Sequence, residues 1–173
     1  MGTKFFSDYE RWVHFFEDHQ LLNCTPKQLE AAQALIIQEQ DPVLAYFFYD
    51  YFQLHAPKMQ KVILQSRNAK YAFLFALKNK NADLASIQSL LFQSQSYHLI
   101  FRFVTELQPQ SHLQAFKFAY QKRQIKLFMQ LLKRFPLKNL SPYTPWILQQ
   151  KNNYICDLAI YTQNPKIIQQ ATR

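Results

Sequence analysis

Apolar and polar positions recur along this chain at a spacing that predicts its architecture. The clearest copy is 63–75, Ile-Leu-Gln-Ser-Arg-Asn-Ala-Lys-Tyr-Ala-Phe-Leu-Phe. One unit earlier the pattern falls on 36–48, where Ile36, Ile37 and Gln38 precede Asp41-Pro42 and the run Ala45-Tyr46-Phe47-Phe48. One unit later it falls on 91–103, with Gln93-Ser94, Ser96 and Ile100-Phe101-Arg102-Phe103. Three units later it falls on Ile147-Leu148-Gln149, followed by Tyr154-Ile155-Cys156. In each copy an apolar pair and a glutamine lead into a small polar residue and then an apolar-rich run. A period in the twenties to forties marks a tandem array, whose units bury their apolar faces only against neighbours. The alignment makes Ala45, Ala72 and Cys156 equivalent buried positions where helices approach closely.

Helix starts are written into the polar positions. Ser7 with Glu10 forms a capping box, and Thr25-Pro26 with Gln28 repeats the motif. Asp41-Pro42, Ser141-Pro142, Thr144-Pro145 and Asn164-Pro165 place a capping side chain before a proline. Proline suits the first helical position because its missing N–H would be unpaired there. The first helix is predicted from Ser7 to about His19, with Phe5 or Phe6, Trp12, Phe15 and Phe16 on its apolar side. Further helices are predicted near 26–39, 42–54, 57–66, 69–79, 83–94, 97–107, 111–121, 124–134, 145–151, 154–161 and 165–172. Segments this short are unstable alone in water, so stacking must hold them. Residues 136–145 carry three prolines and interrupt the pattern as an irregular loop.

The sole glycine, Gly2, sharpens this reading. Phosphate-cradling loops, dinucleotide turns and nucleophile elbows need glycine, and most tight hairpins do too. Helices closed by Asn, Ser and Pro are expected instead. The fold class is therefore all-α, a right-handed stack of short helix hairpins forming an α-solenoid with repeats of about 27–28 residues. One domain is expected over 1–173. Acidic capping helices would fill 1–40, core repeats 41–135, and a proline-containing loop with a C-terminal capping repeat 136–173.

Two predicted hairpins resemble ankyrin repeats. Ala72-Phe73-Leu74-Phe75-Ala76-Leu77, Asn79-Lys80-Asn81, then Leu84, Ile87 and Leu90-Leu91 follow the ankyrin order of helix, polar turn and Leu-rich helix. Asp157-Leu158-Ala159-Ile160-Tyr161, Gln163-Asn164-Pro165 and Ile167-Ile168 do the same, and His112 to Phe135 matches more loosely. The Thr-Pro-Leu-His motif is missing, the turns lack glycine, and the spacing is shorter than the family's. The resemblance covers about half the chain, suits another bihelical array equally, and implies a binding scaffold that performs no chemistry.

Charge adds a candidate surface. Residues 1–40 hold three basic and six acidic residues, whereas 41–173 hold seventeen and five. No Asp or Glu occurs from Leu107 to Cys156, where Lys117, Lys122, Arg123, Lys126, Lys133, Arg134, Lys138 and Lys151 all fall. Such a field raises the local concentration of anionic partners. The plain alternative is a solvated face, and cations in a helix's last turn, such as Lys133 and Arg134, also suit its dipole. The favoured partner is an acidic protein, for an adaptor, inhibitor, or bacterial immunity- or effector-type role; nucleic acid is the alternative. Phe116, Phe118, Tyr120 and Phe128 interleave with the lysines, but at helical spacing they read as core. Turns in such a stack line up, which would bring Lys122, Arg123, Lys126 and Lys138 to one edge.

No catalytic constellation emerges, and an enzyme is not expected. His14, Glu17, Asp18 and His19 could offer two metal ligands on one helix face, yet a polar face explains them more simply. Asp83, Glu106 and Asp157 are scattered, and no cofactor or metal is expected. Cys24 and Cys156 match no metal spacing and read as buried thiols of a reducing compartment. Asp8, Glu10 and Arg11 break any secretory signal, and no apolar run reaches the ~18 residues of a membrane span, so a cytoplasmic location is expected.

Overall fold

A computed structural model describes residues 7–150, 152–162 and 167–169, and it contains helices and no strand among them. Packing divides the chain into two compact units, Met1–Gln95 and Ser96–Arg173. The first holds α1 (Asp8–Asp18), α2 (Pro26–Glu39), α3 (Pro42–Phe52), α4 (Ala56–Gln65), α5 (Ala69–Lys78) and α6 (Leu84–Ser94). The second holds α7 (Tyr97–Glu106), α8 (His112–Gln121), α9 (Ile125–Arg134), the short α10 (Thr144–Ile147) and α11 (Asn152–Thr162). Single 3₁₀ turns at Leu21–Asn23 and Pro109–Ser111 lead into α2 and α8.

The helices begin where the local sequence places a capping group. The Ser7 hydroxyl accepts from the Glu10 N–H at 3.2 Å, and the Ser7 N–H donates to the Glu10 carboxylate at 2.6 Å. Thr25 and Gln28 make the same reciprocal pair at the start of α2. Asp41 accepts from the N–H groups of Val43 and Leu44 at 2.8 and 3.3 Å, and the Arg11 guanidinium also binds its carboxylate. Asn68 and Asp83 cap α5 and α6. Thr144 departs from its predicted role: it is the first residue of α10, and its hydroxyl donates back to the Leu140 carbonyl at 3.0 Å. Ser141 and Pro142 sit in the turn before α10 and start no helix of their own. Asn164-Pro165 lies outside the described residues.

Helix ends differ from the expected pattern. Asn79 closes α5 and Ser66 closes α4, but the chain reverses mostly through residues in the left-handed region. These are Gln20, Gln40, Gln53, His55, Arg67, Gln95 and Arg123, with φ between 49 and 55°. Each such non-glycine residue costs about 1–2 kcal/mol of backbone strain. Gln40 and Gln53 offset part of it by donating their side-chain amides to the carbonyls of Ile37 and Asp50.

Within the first unit α3 packs on α4 and α5 on α6, while α1–α3–α5 and α2–α4–α6 make successive contacts. Within the second, α8 packs on α9, and α7, α9 and α11 make successive contacts. The cores are apolar and aromatic: Ile36, Phe48, Ile63, Phe73 and Phe75 in the first unit, Phe103, Phe116, Phe128 and Leu131 in the second. Gln60 ties α4 to the start of α6, donating to the Asp83 carbonyl at 3.3 Å and accepting from its N–H at 3.1 Å. Ala45 and Ala72 are buried as expected, but Cys156 is exposed. Ile155 and Leu158 take the core positions of α11, one residue out of step with the copy alignment. The slip falls after Ile147, which is still fully buried in step with Ile63 and Leu91. Cys24 is half-buried, so neither cysteine is the buried thiol predicted.

Candidate basic interface

The basic stretch is organised by α8, α9 and the segments flanking them. On α8 the apolar face buries Ala115, Phe116, Phe118 and Ala119, leaving Lys117 exposed. Lys122 ends α8, donating its N–H to the Phe118 carbonyl at 2.9 Å while its side chain stays in solvent. Arg123 follows in the left-handed region, its guanidinium 5.4 Å from the Tyr120 ring centroid. On α9 five residues, Leu127, Phe128, Met129, Leu131 and Leu132, face the core. The opposite side carries exposed Lys126, Gln130 and Lys133 on nearly one azimuth, with exposed Arg134 about 100° round from Lys133.

The sites predicted from sequence, where described, are therefore all solvent-facing but are not all brought together. Lys122, Arg123 and Lys126 adjoin at the N-terminal end of α9; Lys133, Arg134 and Lys138 lie at or beyond its C-terminal end. The length of α9 separates the two groups by about 15 Å. Lys122 and Lys138 therefore precede and follow α9 along the chain. Lys151 lies outside the described residues.

Electrostatics keep this surface positive. The nearest acidic residue before it, Glu106, accepts two bonds from Arg102, at 2.6 and 2.9 Å, and that pairing raises the pKa of the guanidinium further. Among the described residues no carboxylate forms an ion pair with Lys117, Lys122, Arg123, Lys126, Arg134 or Lys138. Three of the four interleaved aromatics are core, and Tyr120 is half-buried. Phe116, Phe118 and Phe128 are buried, and Tyr120 stands edge-on to Tyr143 and Trp146. Phe116, Phe118 and Phe128 therefore present no open ring face beside the lysines.

Two residues of the α1 cluster, His19 and Glu17, lie beside aromatic rings. The His19 ring packs edge-on against Phe15 at 4.5 Å, and Glu17 lines, with α1's aromatics, a groove beside α3. Among the described residues no three His, Cys, Asp or Glu side chains converge to hold a metal ion. No described helix is long and apolar enough to cross a membrane. The groove is a feature that sequence reasoning does not find: Trp12 and Phe16 read there as one buried face, and the tyrosines that extend it carry no periodic signal. Comparison with protein families, characterised proteins and solved structures finds no match.

Proposed function

We propose that this chain is a non-enzymatic binding scaffold, an α-solenoid of helix hairpins in an ankyrin-like or related bihelical plan with units of about 27–28 residues. It engages an acidic protein through Lys117, Lys122, Arg123, Lys126, Lys133, Arg134 and Lys138. The array reading rests on a conformational rhythm. Left-handed Gln40, Arg67, Gln95 and Arg123 recur once per unit, each directly before the N-cap of α3, α5, α7 or α9. In phase with them, Ile36, Ile63, Leu91, Ala119 and Ile147 are all essentially without exposure.

The single observation that carries the functional reading is the one-sided surface of α9: a continuous apolar stripe on one face and exposed cations on the other. Exposed like charges repel one another, so a face of this kind gains most when an anionic partner covers it. Affinity capture from the native host, with nuclease treatment, tests the proposal. A protein eluted by salt, and not retained by a Lys122→Glu, Arg123→Glu, Lys126→Glu variant, is the expected outcome. Capture abolished by nuclease would favour a nucleic acid; equal capture by the variant would reject the surface.

A further inference from the structure

We infer that the groove between α1 and α3 is a binding site for an organic ammonium ion, a quaternary or methylated amine. The cavity, of about 330 Å³, is walled by aromatic rings. Trp12 forms the floor, only 5% exposed, and lies nearly parallel to Phe47 at 6.1 Å. Phe16 and Tyr51 meet edge-to-face at 5.0 Å along one side, and Tyr9 meets Phe47 edge-to-face at 6.0 Å at the mouth. Tyr9 and Tyr51 remain 64% and 56% exposed, which is unusual for side chains this large.

The rim decides what such a groove prefers. Glu17 from α1 and Asp50 from α3 line it, and among the described residues no Lys, Arg or His does. Aromatic faces carry negative quadrupole charge, so rings and carboxylates act with the same sign and favour a cation. The cation must also shed its water cheaply against apolar walls. An alkylated ammonium does so; a metal ion does not, and no metal-holding cluster is present among the described residues. Asp50 is bonded to Lys78 at 2.9 Å, which offsets part of its charge, so exposed Glu17 is the main anion. The site lies in the first unit and stands independently of the basic interface in the second.

Tryptophan fluorescence tests this. A Trp146→Phe variant leaves Trp12 as the single reporter. Tetramethylammonium and choline, at matched ionic strength, are expected to quench Trp12 saturably, and 3,3-dimethylbutanol, the uncharged isostere of choline, to bind about tenfold more weakly. Glu17→Gln should weaken tetramethylammonium about fivefold and Asp50→Asn less. If Trp146→Phe does not fold, the Trp12 indole resonance of the natural chain supplies the same titration. A trimethyllysine peptide compared with choline decides the source of the head group; tighter binding of either one supports the site. Equal binding of the uncharged isostere would mark a plain apolar groove and overturn the inference, as would no saturation by either cation at about 50 mM.

Discussion

The two units are built on one helix-pairing logic yet differ in what they do with charge. Met1–Gln95 contains nine basic and nine acidic residues; Ser96–Arg173 contains eleven and two, and so carries the whole net charge of +9. In the first unit charges are matched internally: Arg11 with Asp41, Lys70 with Asp8 at 2.7 Å, Lys78 with Asp50 at 2.9 Å. In the second, Arg102–Glu106 is the ion pair among the described residues. Exposed pairs of this kind add little to stability, so the contrast is not one of robustness. It separates a neutral unit, with an aromatic groove as its open feature, from a cationic one.

The largest effects should come from the cores, where the units are expected to behave alike. Phe128→Ala, at a fully buried position among Phe116, Tyr143 and Trp146, should cost about 3–5 kcal/mol in urea unfolding. In the first unit, Ala72→Leu should cost about 1–3 kcal/mol through overpacking, because Ala72 is only 1% exposed. An unchanged midpoint for Ala72→Leu would show that the helices do not approach closely there.

Acid should separate the units. A hydrogen bond from Lys70 holds the Asp8 pKa below its ordinary value, hydrogen bonds from Ser7 hold Glu10 down, and those from Ser86 hold Asp83 down. All three lie in the first unit. A carboxylate with a depressed folded-state pKa stabilises above the unfolded value and loses that contribution as pH falls through the folded one. Below about pH 4, Trp12 emission should therefore report loosening before Trp146 does. The reverse order in single-tryptophan variants would break the comparison.

Smaller effects probe the helix ends. Arg67→Gly and Arg123→Gly relieve the same left-handed strain, one in each unit, and each should stabilise by about 0.5–1 kcal/mol. The gain at Arg123 should be the lesser, since that change also removes the contact with Tyr120. Thermal melts of the two variants measure the difference. Smallest of all, reversing Lys122, Arg123 and Lys126 to Glu should shift stability by under about 0.5 kcal/mol while slowing association with the proposed acidic partner and flattening its salt dependence. Unchanged association rates would leave the cationic unit without the role proposed for it.

What the sequence by itself determined are the features closed within one turn of helix. Ser7 with Glu10, Thr25 with Gln28 and Asp41 ahead of Pro42 start helices as read, because each cap needs only backbone donors two or three residues away. The apolar periodicity likewise decided which side of α9 is buried, since five adjoining core residues leave Lys126 and Lys133 nowhere to go but solvent. Thr144 is misread even locally, since its hydroxyl donates to the Leu140 carbonyl only four residues back. Tertiary structure decided whatever depends on a second segment. Cys156 occupies the aligned position, but Ile155 and Leu158 took the core of α11, which packs against α9. The aromatic groove was equally unreadable. Trp12 and Phe16 come from α1, Phe47 and Tyr51 from α3, and only the packing of those helices leaves a space between their rings with carboxylates at its rim.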